Sequence, residues 1–300
     1  MANTIERLQA GKLSPYGALP IPALTPELLK LITTGRVYSL AVLHTEDMLA
    51  PAPMVSYTIL PHLRHGDLPD LVPASAAAEV ITMSTHVGTH IDALCHIGEH
   101  QNLDGEPDAN GEVQLHAGEQ RTIPAHRHAN RHGQSHLDIA EMPPIITRGI
   151  LLDVARCLGV DVLPPAYMIT RQDIEDTLNA QSTKVHPGTA VLLHTGFYQH
   201  LIAGNTVYRD AIAGIGLEAA QFLLAQGMIL AGADNMSVEA VPPLDHAVHR
   251  FLLVHNGVTH LENLYLEQLA AEQVYEFLLI VTPLRLQGAT GSWVHPLAIT

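Results

Sequence analysis

LEAAQFLLAQGMILAGAD (217–234) carries an amphipathic helix over 217–227 that stops at Gly227 and passes straight into a strand over 228–234. The same alternation extends outward in both directions. TAVLLHT (189–195) and RGILLDVA (148–155) are short apolar runs, the second apolar on both sides, as in a strand buried on both faces. Thr170-Arg171-Gln172-Asp173 caps a helix through Ala180 between them. Downstream, DHAVHRFLLVHNG (245–257) reads as a helix with a glycine stop, VTHLE (258–262) as a short strand and YEFLLIVTPL (275–284) as a last strand. Strands alternating with helices predict an α/β fold with a largely buried mixed sheet. No internal repeat and no linker interrupts it.

Toward the N-terminus the pattern weakens. Residues 1–25 are Pro- and Gly-rich and read as an extended arm on the domain or on a partner subunit. Thr25 and Pro26 open a short helix through Thr34. Residues 37–43 and 78–85 read as strands; 44–78, broken by five prolines, and 99–147, polar and histidine-containing, read as mostly loop. The division expected is an arm and short helix over 1–36 and a single domain over 37–300.

Composition narrows the function. Of 300 residues, 47% are hydrophobic and 15% charged, which excludes a disordered chain. A formal net charge of -15 argues against a cationic grip on nucleic acid or an anionic membrane. No apolar run reaches the roughly 18–20 residues of a membrane span, and no secretory h-region is visible. Two cysteines make no disulfide scaffold, so a cytoplasmic protein is expected. Twenty histidines direct attention to metal chemistry.

The chemistry concentrates in His86-Val87-Gly88-Thr89-His90-Ile91-Asp92-Ala93-Leu94-Cys95-His96. On an ideal strand His86 and His90 would stand about 13 Å apart. Two nitrogens on one ion can be only about 3–4 Å apart, so the chain must turn between them, and Gly88 is where it can. Beyond the turn, His90 and Asp92 at i and i+2 share one face. His86, His90 and Asp92 then offer two nitrogens and one oxygen, a set suited to Zn²⁺ or Mn²⁺ with positions left for water. His96, four residues on, is placed for general acid/base work. A lone strand histidine is ordinarily a satisfied core or surface group; four such residues around a glycine turn are harder to read that way.

The HxGTHxDxxxH pattern resembles the signature of the cyclase family of metal-dependent hydrolases, which includes bacterial kynurenine formamidase and isatin hydrolase. The blocks at 143–155, 191–197, 232–242, 249–264 and 282–298 resemble that family in order, so the likeness covers roughly 37–298. Ala93-Leu94-Cys95 stands where the formamidases commonly carry a proline. The resemblance implies the swivelling β/β/α architecture, a mixed sheet flanked by helices. It implies His86, His90 and Asp92 as metal ligands and His96 as proton donor and acceptor. His249 and Glu262 match a second ion's ligands, with Asp92 as bridge, so one or two ions are expected. Their separation is one residue long, which places an extra residue around Asn256-Gly257, and His246 is a rival to His249. The resemblance also implies a homodimer or homotetramer.

Other features have two readings. Asp234 and Ser237 follow a strand and are candidate substrate-binding residues. Asp153 ends a strand and could equally bond backbone amides; Thr195-Gly196 lines a pocket or merely ends a strand. Cys95 reads as packing rather than nucleophile. His126, His128, His132 and His136, the last three at helical spacing, form an accessory metal site or lid, or else a solvated loop. The reaction expected is hydrolysis of an amide, cyclic or N-acyl arylamine, by a metal-activated water. Cyclisation or dehydration at the same site and non-catalytic metal binding are the alternatives.

Overall fold

The computed structural model describes residues 16–51, 53–100, 113–118 and 122–300. Its centre is a nine-stranded mixed sheet built from β1 (Val37–Ser39), β2 (His90–Asp92), β3 (Ile145–Asp153), β4 (Thr189–His194), β5 (Met228–Ala233), β6 (Thr259–Glu262), β7 (Glu276–Val281), β8 (Gly291–Trp293) and β9 (Leu297–Ile299). The spatial order is β1-β9-β7-β3-β4-β5-β6-β2-β8. β3, β4, β5 and β6 run parallel. Antiparallel strands flank this core, β7, β9 and β1 on one side and β2 and β8 on the other.

Side chains alternate between two cores, because successive residues of a strand point to opposite faces. Leu151, Leu192, Leu230 and Leu261 join one cluster, which also holds Ile91, Phe277 and Leu279. Ile150, Leu152, Val191, Leu193 and Ala231 join the other. A sheet covered on both faces explains why these strands read as unbroken apolar runs. The crossovers carry α1 (Arg171–Ala180), with the Thr170/Asp173 capping box in place, and α2 (Leu217–Gln226), ended by Gly227 at φ 103°.

Several expectations change. The helix after Thr25 is only Pro26–Leu29, although Thr25 caps it as read. The strand at 37–43 stops at Ser39, followed by a single bridge from Ala41 to Leu264. Residues 78–82 do form a strand, but it pairs with Thr58–Leu63, inside the stretch read as loop, in a separate two-stranded ribbon. That ribbon and its connection expose Leu60, Val72, Val80 and Ile81. Residues 1–15 of the arm lie outside the described residues; the remainder lies on the domain, with Tyr16 and Leu19 buried and Ala18 N donating to Gly257 O at 2.9 Å. The helix read over 245–257 begins at Ala247 and becomes a π-helix over Arg250–His255. A π turn encloses one residue more than an α turn. Among the described residues, no helix is long and apolar enough to cross a membrane.

Candidate metal centre

The turn required by the histidine spacing is present. Gly88 has φ 69°, and a Cβ there would run into the His44 ring. Thr89 is fully buried and clamps the turn, its Oγ1 accepting from Val42 N at 2.8 Å and donating to Asn263 O at 2.6 Å. β2 follows immediately. Ile91 faces the core while His90 and Asp92 share the other face, as the period of two requires. The neighbouring strand repeats the device. In the β2–β6 register Glu262 lies opposite His90 and Leu261 opposite Ile91. One further step brings His260 opposite Asp92, so four polar residues meet across one antiparallel pair.

His90 Nδ1 donates to Gly88 O at 2.8 Å, which turns Nε2 inward, 3.5 Å from both Asp92 Oδ1 and Glu262 Oε2. His86 Nδ1 is 2.9 Å from Asp92 Oδ1, and its Nε2 is 3.0 Å from Thr290 Oγ1. The His96 ring stacks on His86 with centroids 3.8 Å apart. Together His86, Asp92 and His96 form a group whose ligand atoms lie within 4.8 Å of one another. On the other side, Asp92, His249, His260 and Glu262 form a second such group. His249 Nε2 is 3.4 Å from Glu262 Oε1, and its Nδ1 donates to Glu239 Oε1 at 2.5 Å. Asp92 belongs to both groups, the position that the resemblance assigns to a bridging carboxylate.

The electrostatics follow from packing opposite charges out of water. Burial alone would lower the pKa of His90, but Asp92 and Glu262 raise it to about 10. Burial opposes the shift at His249 too, where Glu239 and Glu262 raise it to about 10. Burial would raise Asp92, yet His96, His86 and His90 hold it well below the usual carboxylate range. Glu262 is lowered to about 2 against its burial, by His249 and His90. His96 and His260 go the other way, burial lowering them to about 3 and about 4. Three carboxylates and five histidines therefore share one buried region. Within it Asp92 Oδ2 and both ring nitrogens of His260 lack a hydrogen-bond partner. Unpartnered buried donors and acceptors are costly, and this oxygen and nitrogen set is one that Zn²⁺ or Mn²⁺ accepts. The residues present fit a divalent ion.

Sequence reading reached His86, His90, Asp92, His96, His249 and Glu262, and the structure brings all six together. It missed His260 and Glu239. His260 and Glu262 stand at i and i+2 of a strand, the same signal that paired His90 with Asp92. Glu239 lies in a loop, and only the fold brings its carboxylate to Val248 N at 2.8 Å, His249 and the half-exposed His246 at 3.1 Å.

Ser237 precedes Val238, whose N–H donates to Glu262 Oε1 at 3.0 Å, and the Ser237 Oγ is buried without a partner. Asp234 is already engaged, accepting from Thr195 N, Thr195 Oγ1 and Gly196 N, and it groups with His194 and Glu267 rather than with Asp92. Cys95 is buried, which raises its thiol to about 12 and keeps it protonated, as packing requires. His126 and His132 are exposed, His128 and His136 are half-buried, and the i, i+4 spacing is not helical. A hairpin pairs Ala129–Asn130 with Gly133–Gln134 across a turn at Arg131-His132, with Gly133 just beyond it at φ 101°. None of the four joins a metal-capable group among the described residues.

Comparison with known proteins agrees with this fold. A crystal structure of a novel cyclase superposes with TM-score 0.80 at 26% identity, covering 97% of this chain and 98% of that one. Isatin hydrolase A from Ralstonia solanacearum gives TM-score 0.64 at 17% identity over 93% and 98%. A protein described as a predicted metal-dependent hydrolase from Bacillus stearothermophilus gives 0.56 at 18% over 89% and 98%. No curated protein matches the chain. The profile of the Cyclase family, described as "Putative cyclase", matches residues 38–240, more than half of the sequence, and the chain belongs to that family.

Proposed function

We propose that the protein is a metal-dependent hydrolase of an amide, either a cyclic amide or an N-acyl arylamine, using one or two Mn²⁺ or Zn²⁺ ions. The observation that carries this reading is the position of Asp92. One carboxylate oxygen faces His86 and His90, the other is buried without a partner, and the residue also belongs to a group with His249, His260 and Glu262. Held by these residues, a divalent ion would supply a water of lowered pKa and polarisation of the substrate carbonyl. The chain's own residues do the rest. Gly88 O and Glu239 fix the ring orientations of His90 and His249 through their Nδ1 atoms. His96, stacked on the His86 ring, is the group placed to relay the proton to the leaving nitrogen. The Ser237 hydroxyl is available to the substrate, and the buried surroundings exclude water.

The two comparison hydrolases support hydrolysis by their fold. The test is a screen of lactams and N-acyl arylamines against metal-reconstituted protein, with ring opening and ring closure assayed separately. Ring opening that needs the metal supports the proposal. Closure with release of water would make the protein a cyclase or dehydratase, and metal binding without turnover would make it a binding protein.

We also propose a homodimer or homotetramer. The exposed apolar ribbon of Thr58–Leu63 and Ala78–Thr82 supports this, since two strands alone are marginal in water. Light scattering that shows a monomer at micromolar concentration would overturn it.

A further inference from the structure

A second constellation lies at the carboxyl ends of β3, β4 and β5 and shares no residue with the centre around Asp92. β3 ends in Asp153, β4 ends in His194, and Asp234 follows β5. Glu267 joins them from the start of the helix Glu267–Ala271. His194 is only 6% exposed, and its Nδ1 donates to Asp153 Oδ1 at 2.8 Å. Asp153 is held in turn by Arg156 Nε at 2.9 Å and Arg156 N at 3.2 Å. The opposite ring nitrogen, Nε2, is buried with no hydrogen-bond partner. It lies 3.6 Å from Glu267 Oε1, itself buried and unpartnered, and 3.9 Å from Asp234 Oδ2. Asp153, Arg156, His194, Gln199 and Glu267 help to line a cavity of about 340 Å³.

We infer that His194, Asp234 and Glu267 form a second divalent-cation site, separate from the centre around Asp92. Donor atoms on one ion stand roughly 3–4 Å apart, and both measured separations fall in that range. The carboxylate–histidine pair behind them is the arrangement that orients a metal-ligating imidazole, with Asp153 fixing the tautomer that leaves Nε2 to the ion. Ligating carboxylates are themselves hydrogen-bonded, as Asp234 is by Thr195 and Gly196. One imidazole and two carboxylates suit Zn²⁺ or Mn²⁺, and the cavity leaves room for water to complete the coordination.

The competing account is an ion pair in which a protonated His194 points between the two carboxylates and binds nothing. Metal stoichiometry separates the two. Full-length protein is stripped with chelator, equilibrated with micromolar Zn²⁺, and its metal content measured; Co²⁺ absorption spectra report ligand loss independently. Wild type should hold one equivalent more than either Glu267→Gln or His194→Gln. His90→Ala, which damages only the other centre, should retain that extra equivalent. Glu267 is part-exposed, so Glu267→Gln should keep the wild-type fold by circular dichroism even where His194→Gln does not. Equal metal content in wild type and folded Glu267→Gln would overturn the inference, as would a His194 Nε2 that keeps its proton by NMR in saturating Zn²⁺.

Discussion

Glu239 touches no substrate, yet replacing it should cost metal at one position only. Its carboxylate accepts from His249 Nδ1 at 2.5 Å, Val248 N at 2.8 Å and His246 Nδ1 at 3.1 Å. Glu239→Gln keeps one oxygen and removes the charge. The amide presents a donor to a site already filled with donors, so His249 loses the acceptor that aims its Nε2 at Glu262. Removing such a partner typically weakens metal binding about 10–100-fold, which is about 1.4–2.7 kcal/mol. With the amide turned the other way, its oxygen on His249, it is the Val248 N–H that is left short of an acceptor, a loss of about 1–3 kcal/mol that falls on fold stability rather than on metal affinity. Competition with a chromophoric chelator measures affinity equivalent by equivalent, and a thermal melt measures the second loss. The equivalent that depends on His249 should weaken about 10–100-fold, while the one held by His86 and His90 changes little. Unchanged affinity at every equivalent in a folded variant would refute this role for Glu239.

Within the motif, His90→Ala should lose metal and turnover together, whereas His96→Ala should keep its metal and lose turnover by about 10²–10⁴-fold. Equal metal loss in both, measured beside the rates, would make His96 a ligand. Asp92→Asn should bind metal weakly and recover in part with excess metal, read by the same assay. In the ion-free protein His90 and His249 hold protons up to about pH 10, so metal uptake at pH 7 must release protons and affinity must rise with pH, measurable by calorimetry in buffers of different ionisation enthalpy. The same raised values stabilise the ion-free fold below the ordinary histidine value of 6.5 and lose that effect as pH rises toward 10; Glu262, lowered to about 2, stabilises above its ordinary 4.5 and loses that effect as pH falls. His96 and His260, lowered by burial, add stability as pH rises toward 6.5, so the ion-free melting temperature should peak near 6.5. Gly88→Ala should cost about 1–2 kcal/mol for the left-handed backbone alone and displace His44, with metal content falling as the turn opens.

What the sequence disclosed was local. The turn at Gly88 and the shared face of His90 and Asp92 need only backbone geometry, and the buried strands β3, β4 and β5 announce themselves as apolar runs. The Thr58–Leu63 strand was hidden because Pro61 reads as a breaker, although an exposed ribbon tolerates proline where a central strand would not. Its partner 78–82 was visible, but nothing in a run exposed on both faces says which sheet it joins. His128, His132 and His136 share a spacing that suits a helix, and Gly133 overrides it with a hairpin turn. Glu239 was out of reach for a different reason. A separation of ten residues, most of them loop, divides it from His249, and the pair exists only after β5, β6 and the π-helix have packed.

Both clusters sit where the fold can hold charge without giving up its core. The strands bury apolar side chains on both faces, so a polar group inside them has no water to answer it. At strand ends, and along the β2–β6 pair where residues alternate, polar groups can converge while their neighbours stay in the core. Ile91 and Leu261 pack inward while His90, Asp92, His260 and Glu262 gather on the other side. Such a gathering is unfavourable if left incomplete, because Asp92 Oδ2 and the His260 nitrogens gain nothing from burial. A cation that binds only the folded chain offsets that cost by mass action, contributing about 2.7 kcal/mol at a hundredfold excess over its dissociation constant. Fold stability and catalytic competence are then tied to the same ion. Chelation should lower the melting temperature of the wild type and leave the double variant His90→Ala with Glu267→Gln, which lacks both sites, almost unmoved.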